Sequence, residues 1–368
     1  MSEAGQARAD RAARRLVGAV QPVPDFVANM RAGLGLLAHG GRTLPLTLAD
    51  RADLPNCYLC APSTAYIDYA LEELRHFSRT PPVFAALKLL VGLAGLPVRA
   101  MGLDHQVQPN NWLFSTSIQP PGIDADIPAL TADLVGRWPD RAIVWRSLND
   151  GCDGAAIAAF RRAGYRLLPA RQVYVYDCRE TLPEIRRDMR NDLRLLKRSA
   201  LQAVGPDDIG EADFPRIAEL YRLLYLEKYT ALNPQYTPAF MRAMHREGIV
   251  EFHGFRGADG LLQAVIGLFC LDDVMTAPIV GYDTALPQAL GLYRLLVVHG
   301  MLEARERRML YNMSAGAALF KRTRGARPAI EYTAVYNRHL PFQQRLAART
   351  VEAILQGIGV PLMKKFAL

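Results

Sequence analysis

Residues 274 to 314 read VMTAPIVGYDTALPQALGLYRLLVVHGMLEARERRMLYNMS. VMTAPIVGYD (274–283) reads as a strand, LGLYRLLVVHGMLEARERR (290–308) spaces its apolar residues as a helix does, and MLYNMS reads as the next strand. Working outward, AALFKRTRG is a short helix and IEYTAVYN a strand. FPRIAELYRLLYLEKY (214–229) and PAFMRAMHREG (238–248) are helices, and IVEFHGFRG with LLQAVIGLFCLDD forms a hairpin around Asp259–Gly260. The first half follows the same alternation. NCYLCAP (56–62) and NWLFSTSIQ (111–119) are expected as strands, DIPALTADLVGRW (126–138) as a helix, RAIVWRSL (141–148) as a buried strand, AAIAAFRRAGY as a helix ending at Gly164, and ARQVYVYD as a strand.

The pattern defines an α/β protein, and the two halves overlay at an offset of 160 residues. Phe160–Arg161–Arg162 falls on Phe320–Lys321–Arg322, and Val175–Tyr176–Asp177 on Val335–Tyr336–Asn337. The shared order of strand, helix, basic patch and strand points to an internal duplication.

At 368 residues the chain exceeds the usual size of one core, so two domains are expected. Half of the residues are apolar and 22% charged, as in a globular protein. A net charge of +8 permits a polyanionic partner without requiring one. Among five cysteines only Cys57 and Cys60 are close, and a lone CxxC reads as two buried thiols on a strand. The N-terminus shows no secretory pattern, and the apolar stretch 83–103 is broken by Lys88, Gly92, Gly95, Pro97 and Arg99, short of the about 18–20 apolar residues that span a bilayer. A cytoplasmic location with no integral membrane association is the expectation. QRLAARTVEAILQGIGVPLMKKFAL is amphipathic and reads as a packed terminal helix. The seven histidines (39, 76, 105, 245, 253, 299, 339) form no HExxH or HxH pair. GxSxG and GxxxxGK[ST] are also missing, which disfavours hydrolases, kinases and zinc enzymes.

A strand, a Gln-x-x-Gly turn, a long helix and another strand resemble the GNAT acyltransferase fold, in which that turn presents backbone N–H groups to a pyrophosphate. Here the turn is Pro287–Gln288–Ala289–Leu290–Gly291–Leu292–Tyr293–Arg294; Gln288 and Gly291 match the pattern, and Tyr293 takes its last small position. IRRDMRNDLRLLKRSALQAV (185–204) is similar to the arginine-rich helix of the double-GNAT FemABX peptidyltransferases and their relatives, and ALFKRTRGARPAIEY (318–332) resembles their FK element. The resemblance implies tandem GNAT-like domains with mixed central sheets flanked by helices. They would comprise a helical segment at 1–50, a degenerate first unit at 51–184, a catalytic second unit at 185–340 and a C-terminal amphipathic helix at 341–368.

By the same resemblance Lys321 faces the reacting carbonyl and stabilises its oxyanion. Tyr282 and Asp283 end the strand that leads into the turn, with Asp283 placed to hold an ammonium substrate or take its proton, and Glu331 is a candidate general base. Asn312 and Ser314 lie where a pantetheine-like arm would enter, and Tyr293 and Arg294 are placed to meet a donor phosphate. Arg186, Arg190, Arg194 and Lys197 form one cationic helix face.

The implied activity is N-acyl transfer from an acyl-CoA or acyl-carrier-protein thioester to an amine of a small molecule or peptide, with no metal implied. Two alternatives stay open: an aminoacyl-tRNA donor, which the FK element and the basic helix favour, and a silent binding protein that kept the fold.

Overall fold

The computed structural model describes residues 3–72 and 81–366, so His76 and the last two residues of the C-terminal segment lie outside the described residues. The strands are β1 (Gly33–His39), β2 (Arg42–Ala49), β3 (Gln106–Pro109), β4 (Ala142–Asn149), β5 (Arg166–Asp177), β6 (Gln202–Val204), β7 (Glu251–Arg256), β8 (Leu262–Leu271), β9 (Val274–Tyr282), β10 (Leu310–Asn312) and β11 (Arg327–Tyr336). They join into one mixed sheet in the order β1-β2-β3-β4-β11-β5-β10-β9-β8-β7-β6. The α-helices are α1 (Glu3–Ala19), α2 (Val23–Phe26), α3 (Pro81–Ala100), α4 (Ile127–Arg137), α5 (Gly154–Ala163), α6 (Arg187–Arg198), α7 (Asp213–Tyr221), α8 (Pro238–Arg246), α9 (Leu292–Glu306), α10 (Ala318–Thr323), α11 (Phe342–Ile354) and α12 (Val360–Phe366). None of the described helices is long and apolar enough to cross a membrane.

The last strand of the chain, β11, lies between β4 and β5 of the first half and pairs antiparallel with both. The halves are therefore interleaved through the middle of the sheet. The overlay read from sequence has a structural counterpart in α5–β5 and α10–β11. Each is a helix, a glycine in the left-handed region (Gly164 at φ +91°, Gly325 at φ +107°) and a strand.

Three sequence expectations are corrected. The segment 1–50 is not all helical, because 33–49 is a hairpin turned by Gly40 and Gly41 at φ +55° and +78°, a turn that only positive φ permits. Residues 56–62 are no strand: Cys57 O accepts from Cys60 N and Ala61 N, closing a turn that buries both thiols and pushes each up to about 12. Residues 111–119 are a loop, since Asn110 and Leu113 have positive φ and side chains satisfy the backbone, Ser147 Oγ accepting from Ser117 N and Asn111 Oδ1 from Leu113 N.

The core that carries the site lies between α9 and the sheet. Leu295, Leu296, Val298 and Met301 of α9 pack with Ile266 and Leu268 of β8, Met275 of β9 and Tyr311 of β10. Full burial of each such side chain contributes about 1.5–3 kcal/mol, so the helix is held at a fixed height over these strands. Gly300 permits this approach, because a Cβ there would lie 3.1 Å from the Tyr311 hydroxyl and 3.2 Å from Ile266.

Candidate active site

β9 and β10 run parallel but pair only over Val274–Thr276 and Leu310–Asn312. β10 then ends, while β9 continues to Tyr282 still paired to β8 on its other side. The two strands therefore part, and the β9 backbone beyond Thr276 turns one edge toward the gap. Past Tyr282 the chain makes a short 3-10 turn at Gln288–Leu290 and enters α9 through Gly291 at φ +64°. No side chain caps α9, so the N–H groups of its first turn have no intrahelical acceptor and the positive end of its dipole opens beside the gap.

Each donor-side residue has a definite setting. Gln288 is exposed, and its carbonyl accepts from Gly291 N at 2.9 Å in the turn that enters α9. Gly291 is required by its φ and by packing, because a Cβ would stand 2.6 Å from Leu195 of α6. Tyr293 is half-buried, its ring 6.3 Å from that of Tyr282 and 5.1 Å from that of Phe320. Arg294 Nε donates to Asp192 Oδ1 at 2.7 Å, and Asp192, fully buried on α6, also accepts from Arg324 Nε. The Arg324 guanidinium in turn stacks 3.4 Å over the Phe320 ring. One buried carboxylate thus ties α6, α9 and the end of α10 together.

Lys321 lies beneath the gap and is buried. Its Nζ donates to the carbonyls of Met313 (2.7 Å), Ser314 (3.1 Å) and Ala315 (2.7 Å). These carbonyls converge because Ser314 and Ala317 adopt the left-handed region at φ +59° and +50°, a conformation that costs a non-glycine residue energy and is held here by the lysine. Burial pushes the amine down to about 7, the Arg171 guanidinium adding to the shift, while the three acceptors favour its protonated form. Asn312 Oδ1 accepts from Ser314 N at 2.9 Å, so the bend at the end of β10 is fixed from both sides.

Glu331 is buried and forms a two-pronged pair with Arg171, Nε to Oε1 at 2.8 Å and Nη2 to Oε2 at 3.2 Å. Arg171 Nη2 also donates to Ser115 O and Thr116 Oγ1, and Thr116 Oγ1 donates to Ser314 Oγ at 3.3 Å. Lys321, Ser314, Asn312 and Glu331 therefore belong to one network, and Phe320 joins it to Tyr293 and Tyr282. Asp283 stands apart: Oδ2 accepts from Arg216 at 2.7 Å and Oδ1 from Ala285 N. Burial raises its pKa, but the Arg216 and Ala285 bonds outweigh that and hold the carboxyl below its usual range. The Tyr282 hydroxyl accepts from Lys228 Nζ at 3.1 Å.

Sequence reading missed Arg171, Thr116 and Tyr58. Tyr58 lies under the Arg146 guanidinium at 5.6 Å, and burial raises its hydroxyl pKa. The available signal for Arg171 was an Arg–Gln pair in the middle of the otherwise apolar strand LLPARQVYVY. A separate cleft of about 520 Å³, lined by Arg161, Arg166, Arg338, Arg345 and Arg349, lies where β5 and β11 meet α11 and takes in none of these groups.

The segment that builds the uncapped helix end, the two diverging parallel strands and the buried lysine, residues 184–322, matches the family model described as an acetyltransferase (GNAT) domain. The matched residues take in α6, the Gln288 turn, α9, β10 and Lys321. Over 94% of its length, and 99% of the other chain, it shares the fold of FemX at 9% identity and a TM-score of 0.55. A tandem GNAT protein from the clavulanic acid biosynthesis pathway aligns over 90% of this chain and 96% of its own (12% identity, TM-score 0.38). L-PGS from Bacillus licheniformis aligns over 62% and 79% (12% identity, TM-score 0.45). No curated protein matches the chain.

Proposed function

We propose that the chain transfers an acyl group from a thioester donor, on coenzyme A or a carrier protein, to an amine of a small molecule or peptide. The observation that carries this reading is the parting of β9 and β10 beyond Thr276 and Asn312, next to the uncapped start of α9. The donor's phosphates sit on the free N–H groups of Leu292, Tyr293 and Arg294. Its extended arm lies along the open edge of β9, where backbone groups replace a missing strand.

The amine nitrogen attacks the thioester carbonyl carbon, the C–N bond forms, the C–S bond breaks, and the sulfur leaves as thiolate or thiol. The negative charge on the carbonyl oxygen is met by backbone N–H groups at the gap. Lys321 acts mainly as a positioning residue, since its three N–H bonds hold the 313–315 backbone in the shape that faces the gap. Glu331 is the carboxylate beside this network and takes the proton that the amine loses. Residues of the first half, Thr116 and Tyr58 among them, line the acceptor side.

A second reading, an aminoacyl-tRNA donor, is favoured by one observation. Arg187, Arg190, Arg194, Lys197 and Arg198 are exposed on α6, the helix that packs against α9. Thermal-shift and mass measurements separate the two. The thioester reading expects coenzyme A or acyl-CoA to raise the melting temperature and a donor fragment to co-purify. No shift with any thioester, together with a salt-sensitive complex with tRNA, overturns it in favour of the second reading.

A further inference from the structure

Two strands along the sheet from the gap, His253 of β7 and His299 of α9 place their rings 4.7 Å apart, tilted by 49°. Nε2 of each ring is buried and has no hydrogen-bond partner. The nearest carboxylate oxygens are Glu251 Oε2, 3.9 Å from His253 Nε2, and Glu303 Oε1, 3.7 Å from His299 Nε2, both beyond hydrogen-bond reach. The His253 side chain is 8% exposed, so solvent does not satisfy it. A buried polar nitrogen without a partner is uncommon and calls for an occupant.

Glu303 follows His299 by one helical turn and presents Oε1 to it, while its Oε2 accepts from Arg307 Nη2 at 2.8 Å. Arg307 Nη1 also donates to Glu251 Oε2 at 2.7 Å. Arg307 therefore orients the carboxylate from outside and leaves Oε1 free toward the two imidazoles, as an outer group does around a bound metal. The charges point the same way, because two carboxylates face a single guanidinium. One ligand atom from each of His253, His299 and Glu303 falls within 4.8 Å of the others, and among the described residues this is the one such group. Contraction by roughly 1 Å per atom brings them to the metal–nitrogen and metal–oxygen distances of about 2.0–2.2 Å seen at zinc.

We propose that His253, His299 and Glu303 bind one divalent ion of the zinc class, and that the ion pins β7 to α9. Two imidazoles and a carboxylate are the donor set that suits this class of ion, and the partly exposed His299 and Glu303 leave a fourth position to water. Since α9 starts at the donor end of the gap, the ion would fix the helix that receives the donor. The proposal stands on this cluster alone and holds whether or not acyl transfer is the reaction.

The test is a titration of the full chain, stripped of metal by a chelator, with Co2+ and then Zn2+. The expected result is one Co2+ per chain, with the ligand-field absorption of a tetrahedral nitrogen and oxygen site, displaced by Zn2+. The melting temperature should rise with Zn2+ and fall back when the chelator returns. His299→Asn and Glu303→Gln should each weaken Zn2+ binding tenfold or more, with an unchanged far-ultraviolet spectrum. Binding of less than one Co2+ per chain by the wild type, or Zn2+ affinity unchanged in both folded variants, overturns the proposal. The wild-type titration decides by itself if a variant fails to fold.

Discussion

Replacing Lys321 by methionine keeps the aliphatic stem in place and removes the ammonium that three carbonyls share. Met313 is buried, whereas Ser314 and Ala315 are half-buried, so water can take over at two of the carbonyls and not at the third. An orphaned buried acceptor costs about 1–3 kcal/mol, and each bond exchanged for water about 1 kcal/mol. Relief from burying an ammonium beside Arg171 runs the other way, which leaves a net loss of about 2 kcal/mol. At about 2–4 °C per kcal/mol for domains of 150–250 residues, the melting temperature falls by roughly 4–8 °C. The pH dependence is also determined. The amine titrates near 10.5 when unfolded and about 7 when folded, so between those values the unfolded chain binds more protons and this group's contribution to stability rises with pH. Calorimetry of both proteins at pH 6.5 and 9.5 is the assay, and the wild type should gain on the variant at the higher pH. Equal melting at both values, or a wild-type lead that shrinks as pH rises, refutes the assignment of Lys321 as the group that holds the 313–315 backbone.

Two further outcomes follow from the same geometry. Arg171→Gln leaves Glu331 buried without its partner and should cost about 3–5 kcal/mol in urea unfolding, while the double variant with Glu331→Gln should cost less than the sum of the singles; strict additivity would mean the pair is not coupled. Gly291→Ala forces a Cβ into the left-handed region and against Leu195, for about 1–2 kcal/mol of backbone strain and a weaker donor complex, and Leu195→Ala in the same chain should restore part of the loss.

Much of the architecture was legible because periodicity reports it. The strand at 274–283, the long helix and the short helix carrying Lys321 all follow from the spacing of apolar residues, and the overlay of Phe160 on Phe320 marked two equivalent helix–glycine–strand units. The hairpin at 33–49 was legible too, in its Gly40–Gly41 turn, but an N-terminal segment rich in alanine and arginine drew the whole stretch into a helix. Residues 111–119 misled for a different reason: an apolar run reads alike in a strand and in a buried loop whose backbone bonds are made by side chains such as Asn111 and Ser147. Pairings across the fold were not legible at all. Nothing local in the sequence joins Arg171 to Glu331, Asp192 to both Arg294 and Arg324, or His253 to His299, because each depends on which strands and helices become neighbours. Asp283 shows the same limit, its carboxylate being drawn to Arg216 on a helix that precedes it by a long stretch of chain.

The central claim is that an activated donor binds where β9 and β10 part. Hydrogen exchange of the wild-type chain, with and without saturating acetyl-CoA, tests it most directly. The account predicts slowed exchange confined to the open edge of β9 at 277–282, the start of α9 at 291–294 and the bend at 312–317. Unchanged exchange at all three places, or protection at some other face of the protein, would contradict it.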